Sequence, residues 1–237
     1  MKPGEDLSPR ALAPFVAGRP LQSYPAVLAT GITALEWVNS GAPDGAVVIA
    51  DYQVSPRGRP GRPWKVAPGQ GLGFSLVLRP RLRAGREGWL YTVVLAALAD
   101  VYGKRATIAW PDEVRCEGEM AAAAGVQSRL AGRRVEWIIV DLLLPHAKPP
   151  RGELLGSVLR AIESRNASAP NSVREDYDRR CLTIGRSVRM RLLGGTGPSI
   201  EGTAVRTLED GALLIQTPKG VRAPVRPQDV REVELPY

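Results

Sequence analysis

The sequence predicts an α+β fold that ends in a small β-barrel, and three observations carry that reading. Apolar runs of strand length alternate with segments of helical spacing over the first three quarters of the chain. Pro149-Pro150 and a Ser/Asn/Pro stretch at 167–172 then interrupt the pattern. Beyond Cys181 the segments shorten and are parted by Gly-Gly-Thr-Gly, Glu-Asp-Gly and Pro-Lys-Gly turns, the spacing of a small antiparallel barrel. Two domains are expected, over 1–175 and 181–237.

Taken in order, residues 34–40 (ALEWVNS) read as a helix that follows a turn at Thr30-Gly31 and is ended by the Gly/Pro run 41–45. Residues 46–50 form a short buried strand, and 74–79 a strand with the alternation of a half-buried sheet. Residues 89–102 have helical spacing and stop at Gly103; 105–110, 121–126 and 135–144 read as strands, and 154–165 as an amphipathic helix. In the C-terminal part the strand candidates are SVRMRLL, IEGTAVRTL, GALLIQT and APVRPQDV. Trp37, Trp89 and Trp137 lie within apolar patterns and are expected in the core.

With 237 residues, 44% hydrophobic and 24% charged, the chain can bury a core without metals or disulfides, and wholesale disorder is excluded. The opening MKPGEDLSPR lacks the basic and then apolar character of a secretory signal, and no apolar run reaches membrane length, so a cytoplasmic protein with no membrane partner is expected. Cys116 and Cys181 are isolated and His146 is the single histidine, so no zinc site of ordinary composition is expected; the cysteines read as small hydrophobes and His146 as a surface loop residue.

The charge is concentrated. Residues 51–90 carry eight basic side chains against Asp51 and Glu87, within a total of +8, and 27 of the 32 basic residues are arginine, the planar fork suited to phosphate. The informative stretch runs from Asp51 to Trp64, DYQVSPRGRPGRPW. Gly58 and Gly61 free the backbone for close approach to an anion, Arg57, Arg59 and Arg62 alternate as charged donors, and Trp64 offers a flat face with no evident core role. A connection this long between two strands is uncommon unless it is functional. Two readings stand side by side: a loop for a phosphate attached to a heterocycle, or a solvated basic loop with nonspecific nucleic-acid contacts.

Gln53, Arg57-Gly58-Arg59-x-Gly61-Arg62-x-Trp64, the Gly-rich turn 69–73 and Phe74-Ser-Leu together resemble the biotin- and adenylate-binding loop of biotin protein ligases, within the biotin/lipoate ligase family. Ala29-Thr30-Gly31 resembles that family's Ser-Thr-Asn turn, Trp110-Pro111-Asp112-Glu113 its Trp-Pro-Asn-Asp motif, and Cys181-Leu-Thr-Ile-Gly185 its entry to the C-terminal domain. The resemblance covers nearly the whole chain. It implies a mixed sheet flanked by helices, like class II aminoacyl-tRNA synthetases, with an SH3-like C-terminal barrel. It also implies an ATP-dependent ligase that joins biotin to AMP with Mg²⁺ present and passes the acyl group to a lysine of a biotin carboxyl carrier protein or similar acyl-carrier domain. By position Thr30 and Gln53 correspond to contacts to biotin, Arg57 to its activated carboxyl, Arg59 and Arg62 with Gly58 and Gly61 to phosphate, and Trp64 to adenine. Asp112 is a candidate for the Mg²⁺ that accompanies ATP, beside the plainer reading of a cap or turn. Relatives often dimerise, which leaves a homodimer open, and too few residues precede Pro25 for the DNA-binding module of some relatives, so DNA binding is not expected.

The departures from the family pattern cluster on the reaction. Its usual lysine falls on Met120, its following Gly on Ala123 and its Glu on Gln127, and no lysine exists between Lys104 and Lys148. Between Trp110 and Lys148 only Arg115, Arg129, Arg133 and Arg134 remain as cations. Ala29 and Gly31 replace polar residues, Pro56 stands where Gly is usual, and 138–144 lacks the family's Gly-rich pocket strand. A thioether cannot neutralise an anion, so the sequence predicts either a slow ligase or a non-catalytic homologue that binds biotin, another acyl ligand or a carrier protein.

Overall fold

The computed structural model describes residues 4–58, 64, 69–194 and 199–235. It is a mixed α+β fold in which helices cover both faces of a mixed sheet. The strands β1 (Leu21–Val27), β2 (Val47–Gln53), β3 (Leu72–Leu78), β4 (Ala106–Ala109), β5 (Glu113–Cys116), β6 (Glu119–Ala131) and β7 (Arg134–Leu144) lie in the order β1-β2-β3-β7-β6-β5-β4. Only β1 and β2 pair in parallel; the other neighbours are antiparallel. After a short α1 (Pro9–Leu12), α2 (Thr30–Asn39) joins β1 to β2 and packs on β2, β3 and β7. On the other face lies α3 (Trp89–Tyr102), packed against α4 (Gly152–Ala167) and α5 (Pro170–Arg180).

Strand periodicity assigns each residue to one of these faces. Along β7, Ile138, Val140, Leu142 and Leu144 enter the main core beneath α3 and α4, whereas Trp137 and Ile139 join Val48, Val77, Ala34 and Val38 beneath α2. With both faces covered, β3 is buried continuously from Leu72 to Val77 instead of showing the half-buried alternation expected from its sequence. From Leu90 to Ala99 every residue of α3 is buried, as its uniformly apolar sequence requires of a central helix.

Further expectations need correction. Thr30-Gly31 is not a turn before a helix but the first turn of α2 itself. Part of the stretch at 167–172 is helical: Pro170 opens α5, where a fixed φ and a missing N–H cost nothing, and only Val173 and Tyr177 of α5 are buried. Strand β1, absent from the expected elements, holds Pro25 because it is an edge strand whose ladder skips that residue.

The C-terminal residues form a second, antiparallel sheet in the order β11-β10-β9-β8-β12 from β8 (Ser187–Leu192), β9 (Ile200–Thr207), β10 (Leu213–Gln216), β11 (Arg222–Val225) and β12 (Val230–Glu234). The expected segment APVRPQDV is divided by a 3-10 turn at Pro227–Asp229, so that β12 begins a separate strand. Among the described residues no helix is long and apolar enough to cross a membrane.

Candidate functional site

One end of the main sheet, where β2 and β7 finish and β3 and β6 begin, gathers the residues singled out by sequence. The register places Gly73, Leu143 and Ala123 side by side across β3, β7 and β6, with Ser75, Asp141 and Gly125 as the next row inward. A fully buried Arg151 braces this end. Its guanidinium donates to Asp6 at 2.7 and 2.8 Å, to Asp51 at 2.6 Å and to the Gly71 carbonyl at 3.1 Å. It thereby ties the end of β2 and the start of β3 to the head of α4. The paired guanidinium holds the Asp6 carboxyl below the usual carboxylate range, against the opposing effect of burial.

Thr30 and Gln53 meet here. Ala29 has no side chain with which to cap α2, and Gln53 supplies the cap instead. Its Oε1 accepts the Thr30 backbone N–H at 2.8 Å and lies 3.1 Å from the Thr30 hydroxyl. Gly73 is required opposite, because a Cβ there would collide with the Gln53 amide nitrogen. A shallow cleft of about 10 Å³ opens beside them, lined in part by Tyr52, Gln53, Pro56 and Gly73.

The loop residues divide. Arg57 is exposed and makes no ion pair with the described residues. Trp64 is not the free platform that its sequence context suggests. It is 9% exposed, lies against Gly58 where no Cβ fits, and packs with Ala123, Leu143 and the half-buried Met120. Arg59, Gly61 and Arg62 lie outside the described residues.

Met120, at the expected lysine position, pairs in register with Arg115 of β5. Arg115 donates to Glu113 at 2.8 and 3.1 Å, and its side chain is 41% exposed. Asp112 is 3% exposed, and among the described residues no group of three or more His, Cys, Asp or Glu could hold a metal ion. Burial raises both cysteine thiols above their ordinary range, in keeping with inert packing.

Sequence reasoning missed Asp141. Its Oδ1 accepts the Ser75 hydroxyl at 2.5 Å and its Oδ2 the Gln127 amide at 2.8 Å, and Ser75 in turn lies 2.8 Å from the Thr30 hydroxyl. The signal was present as a single acid within the apolar run WIIVDLLL.

No family model matches the chain. It is 27% identical over 240 residues to the bifunctional ligase/repressor BirA of Bacillus spizizenii, covering 87% of this chain and 72% of that protein. It is 29% identical over 177 residues to the biotin–[acetyl-CoA-carboxylase] ligase of Mycobacterium tuberculosis, covering 64% of this chain and 66% of that protein. The biotin protein ligase of Aquifex aeolicus, solved with biotin and ATP, superposes with a TM-score of 0.68 at 23% identity over 92% of this chain and 99% of that one, a likeness of fold.

Proposed function

We propose, for a chain whose homologues in sequence and in structure are biotin protein ligases, that it is a divergent member of that family which activates biotin or a related carboxylic acid with ATP and passes the acyl group to a carrier-protein lysine. The observation that carries the reading is the meeting of Thr30 and Gln53 beside Trp64 at the open end of the sheet. Thr30 and Gln53 hold the head of the acid, and its carboxylate points towards Arg57. Trp64, with Gly58 beneath it, covers the bound group and keeps water from the mixed anhydride. We read the five-stranded C-terminal sheet as the SH3-like domain, with the boundary near Cys181.

Bringing a carboxylate to the α-phosphate of ATP sets two anions against each other, and the side chain at the usual bridging position, Met120, offers no charge. Arg115 is its partner in the register and is the cation best placed to substitute, at the cost of loosening its pairing with Glu113. An arginine shared in this way stabilises the transition state less than a dedicated lysine, so turnover is slow. Incubation with Mg·ATP, biotin and a biotin carboxyl carrier domain tests the proposal, with avidin detection of labelled carrier. Labelling that disappears in Arg57→Ala supports it, whereas an unlabelled carrier in the presence of folded enzyme refutes transfer.

A second reading rests on the same Met120. Its thioether packs on Trp64, Ala123 and Leu143 and makes this part of the pocket apolar, which suits a homologue that binds an acyl ligand without activating it. That reading predicts biotin or fatty-acid binding with no release of pyrophosphate.

A further inference from the structure

At the end of the sheet opposite the cleft, the backbone sets two arginines against each other. Beyond β3 the chain runs extended along the start of β7: the Ala84 N–H donates to the Arg133 carbonyl and the Val135 N–H to the Leu82 carbonyl, each at 3.0 Å. Arg83 and Arg134 are therefore directly opposite in an antiparallel, non-hydrogen-bonded pair, the register that brings side chains closest. Like charges so placed destabilise a sheet. No acid among the described residues relieves them. Glu136, two residues along β7, is taken by Arg129 at 3.1 Å, and the buried Glu87 accepts the Gly85 N–H at 3.0 Å. Arg81, Arg83 and Arg134 are all exposed, and among the described residues none of them forms an ion pair.

These three arginines and Leu82 line a groove of about 380 Å³. Leu82 also lines a second groove of about 380 Å³, with Arg86, Trp89, Pro170 and Arg174, so the two adjoin at that residue. The second groove combines the half-buried Trp89 ring with two further guanidiniums, of which Arg86 is paired with the exposed Glu209. Along β7, nine residues separate Arg134 from Leu143 at the cleft, about 30 Å of extended strand. At that distance the arginines take no part in the acyl chemistry. A second copy of this face would set arginine against arginine.

We propose that this double groove binds single-stranded nucleic acid, with phosphates on Arg81, Arg83, Arg134 and Arg174 and an unpaired base on Trp89. A guanidinium fork takes phosphate oxygens in pairs. A cationic groove beside an aromatic face is the arrangement that holds a strand without reading its sequence. Four guanidiniums spread over two grooves match the successive phosphates of a strand better than the compact charge of one nucleotide. The proposal is independent of the acyl-ligand reading, since it uses neither Arg57 nor the loop that carries Trp64.

The test is fluorescence anisotropy of a labelled single-stranded DNA of mixed sequence, about 20 nucleotides long, titrated with the full chain over a range of salt concentrations. Four phosphate contacts give a slope of log affinity against log salt of about −3. Arg83→Gln combined with Arg134→Gln removes two of them, which is expected to reduce the slope to about −1.5 and to weaken binding at least tenfold at about 0.1 M salt. Removing a like-charge pair leaves this variant melting no lower than the parent, so its loss of binding is not a loss of fold. Trp89→Leu is expected to weaken binding about tenfold with the slope unchanged, because it removes stacking and no charge. The proposal is overturned by no binding at about 0.1 M salt, by a slope that the arginine pair leaves unchanged, or by an affinity untouched in Trp89→Leu. Poly-glutamate that competes as well as an unlabelled strand also overturns it, in favour of an acidic protein segment. Binding lost in Arg57→Ala and kept in the arginine-pair variant moves the strand to the loop between β2 and β3 and overturns it as well.

Discussion

Replacing Gly31 with alanine tests whether glycine at the head of α2 is dictated by the carboxylate beneath it. Ordinary contact with a Cβ begins near 3.4 Å, so an added methyl 2.5 and 2.7 Å from the Asp141 oxygens forces a retreat of about 0.7–0.9 Å. The carboxylate is held from both sides, by Ser75 at 2.5 Å and Gln127 at 2.8 Å, and a shift of that size weakens at least one of those bonds. Overpacking of this kind costs about 1–3 kcal/mol. Alanine returns at most about 1 kcal/mol of helix propensity, and less in a first turn. Gly31→Ala is therefore expected to destabilise the protein by about 1–2 kcal/mol. In an Asp141→Gly background the obstacle is gone, and the same substitution becomes neutral or mildly stabilising. The coupling in this double-mutant cycle is about 2 kcal/mol, read from urea unfolding followed by tryptophan fluorescence. Additive effects, within about 0.5 kcal/mol, would refute the argument that the two residues share one space.

Three further outcomes follow from the same geometry. Asp141 is raised from 3.8 to about 6 in the folded protein, so the native state holds a proton that the unfolded chain gives up first. Stability from this group is full below about pH 4 and is lost as pH rises to about 6, a change of about 3 kcal/mol; Asp141→Asn should gain stability relative to the parent across that window in thermal melts, and a constant difference contradicts the account. Arg151→Met strands Asp6 and Asp51 without their cation at a nearly dry site and should cost about 3–5 kcal/mol in urea unfolding, whereas a loss below about 1 kcal/mol would show the brace to be dispensable. Met120→Lys places an ammonium beside Trp64 and should raise the rate of acyl-adenylate formation at least tenfold, followed by mass spectrometry of the adenylate; no change with biotin still bound would move the explanation from the missing charge to the altered pocket floor.

Where local pattern and tertiary environment agree, the sequence was legible. The helix at Trp89–Tyr102 is predominantly apolar and is buried from Leu90 to Ala99, and the long connection between β2 and β3 carries Arg57 and Trp64 to the same end of the sheet as Thr30 and Gln53. Where environment overrides pattern it was not. Pro25 hides β1, because only an edge position tolerates it. Helix α5 is so polar that its two buried residues, Val173 and Tyr177, give almost no periodic signal. Trp64 sits in a Gly/Pro/Arg stretch that reads as solvent-facing, yet it is covered by residues 59 and 79 positions further along the chain, Ala123 and Leu143. The buried arginine and its two aspartates join positions 6, 51 and 151, a link that no local window contains. Gly31 and Gln127 read as losses when each was taken alone; only the fold, by bringing Asp141 between them, makes them parts of one arrangement.

The account stands most directly on whether the site activates an acid despite Met120. Pyrophosphate release by the purified protein with Mg·ATP, compared across biotin, lipoate and octanoate, addresses that alone. The expected result is slow release that depends on one acid, with biotin the strongest, and that falls further in Arg115→Ala. No release with any acid, from a protein that is folded and binds biotin, would contradict ligase activity and assign the chain to the binding role.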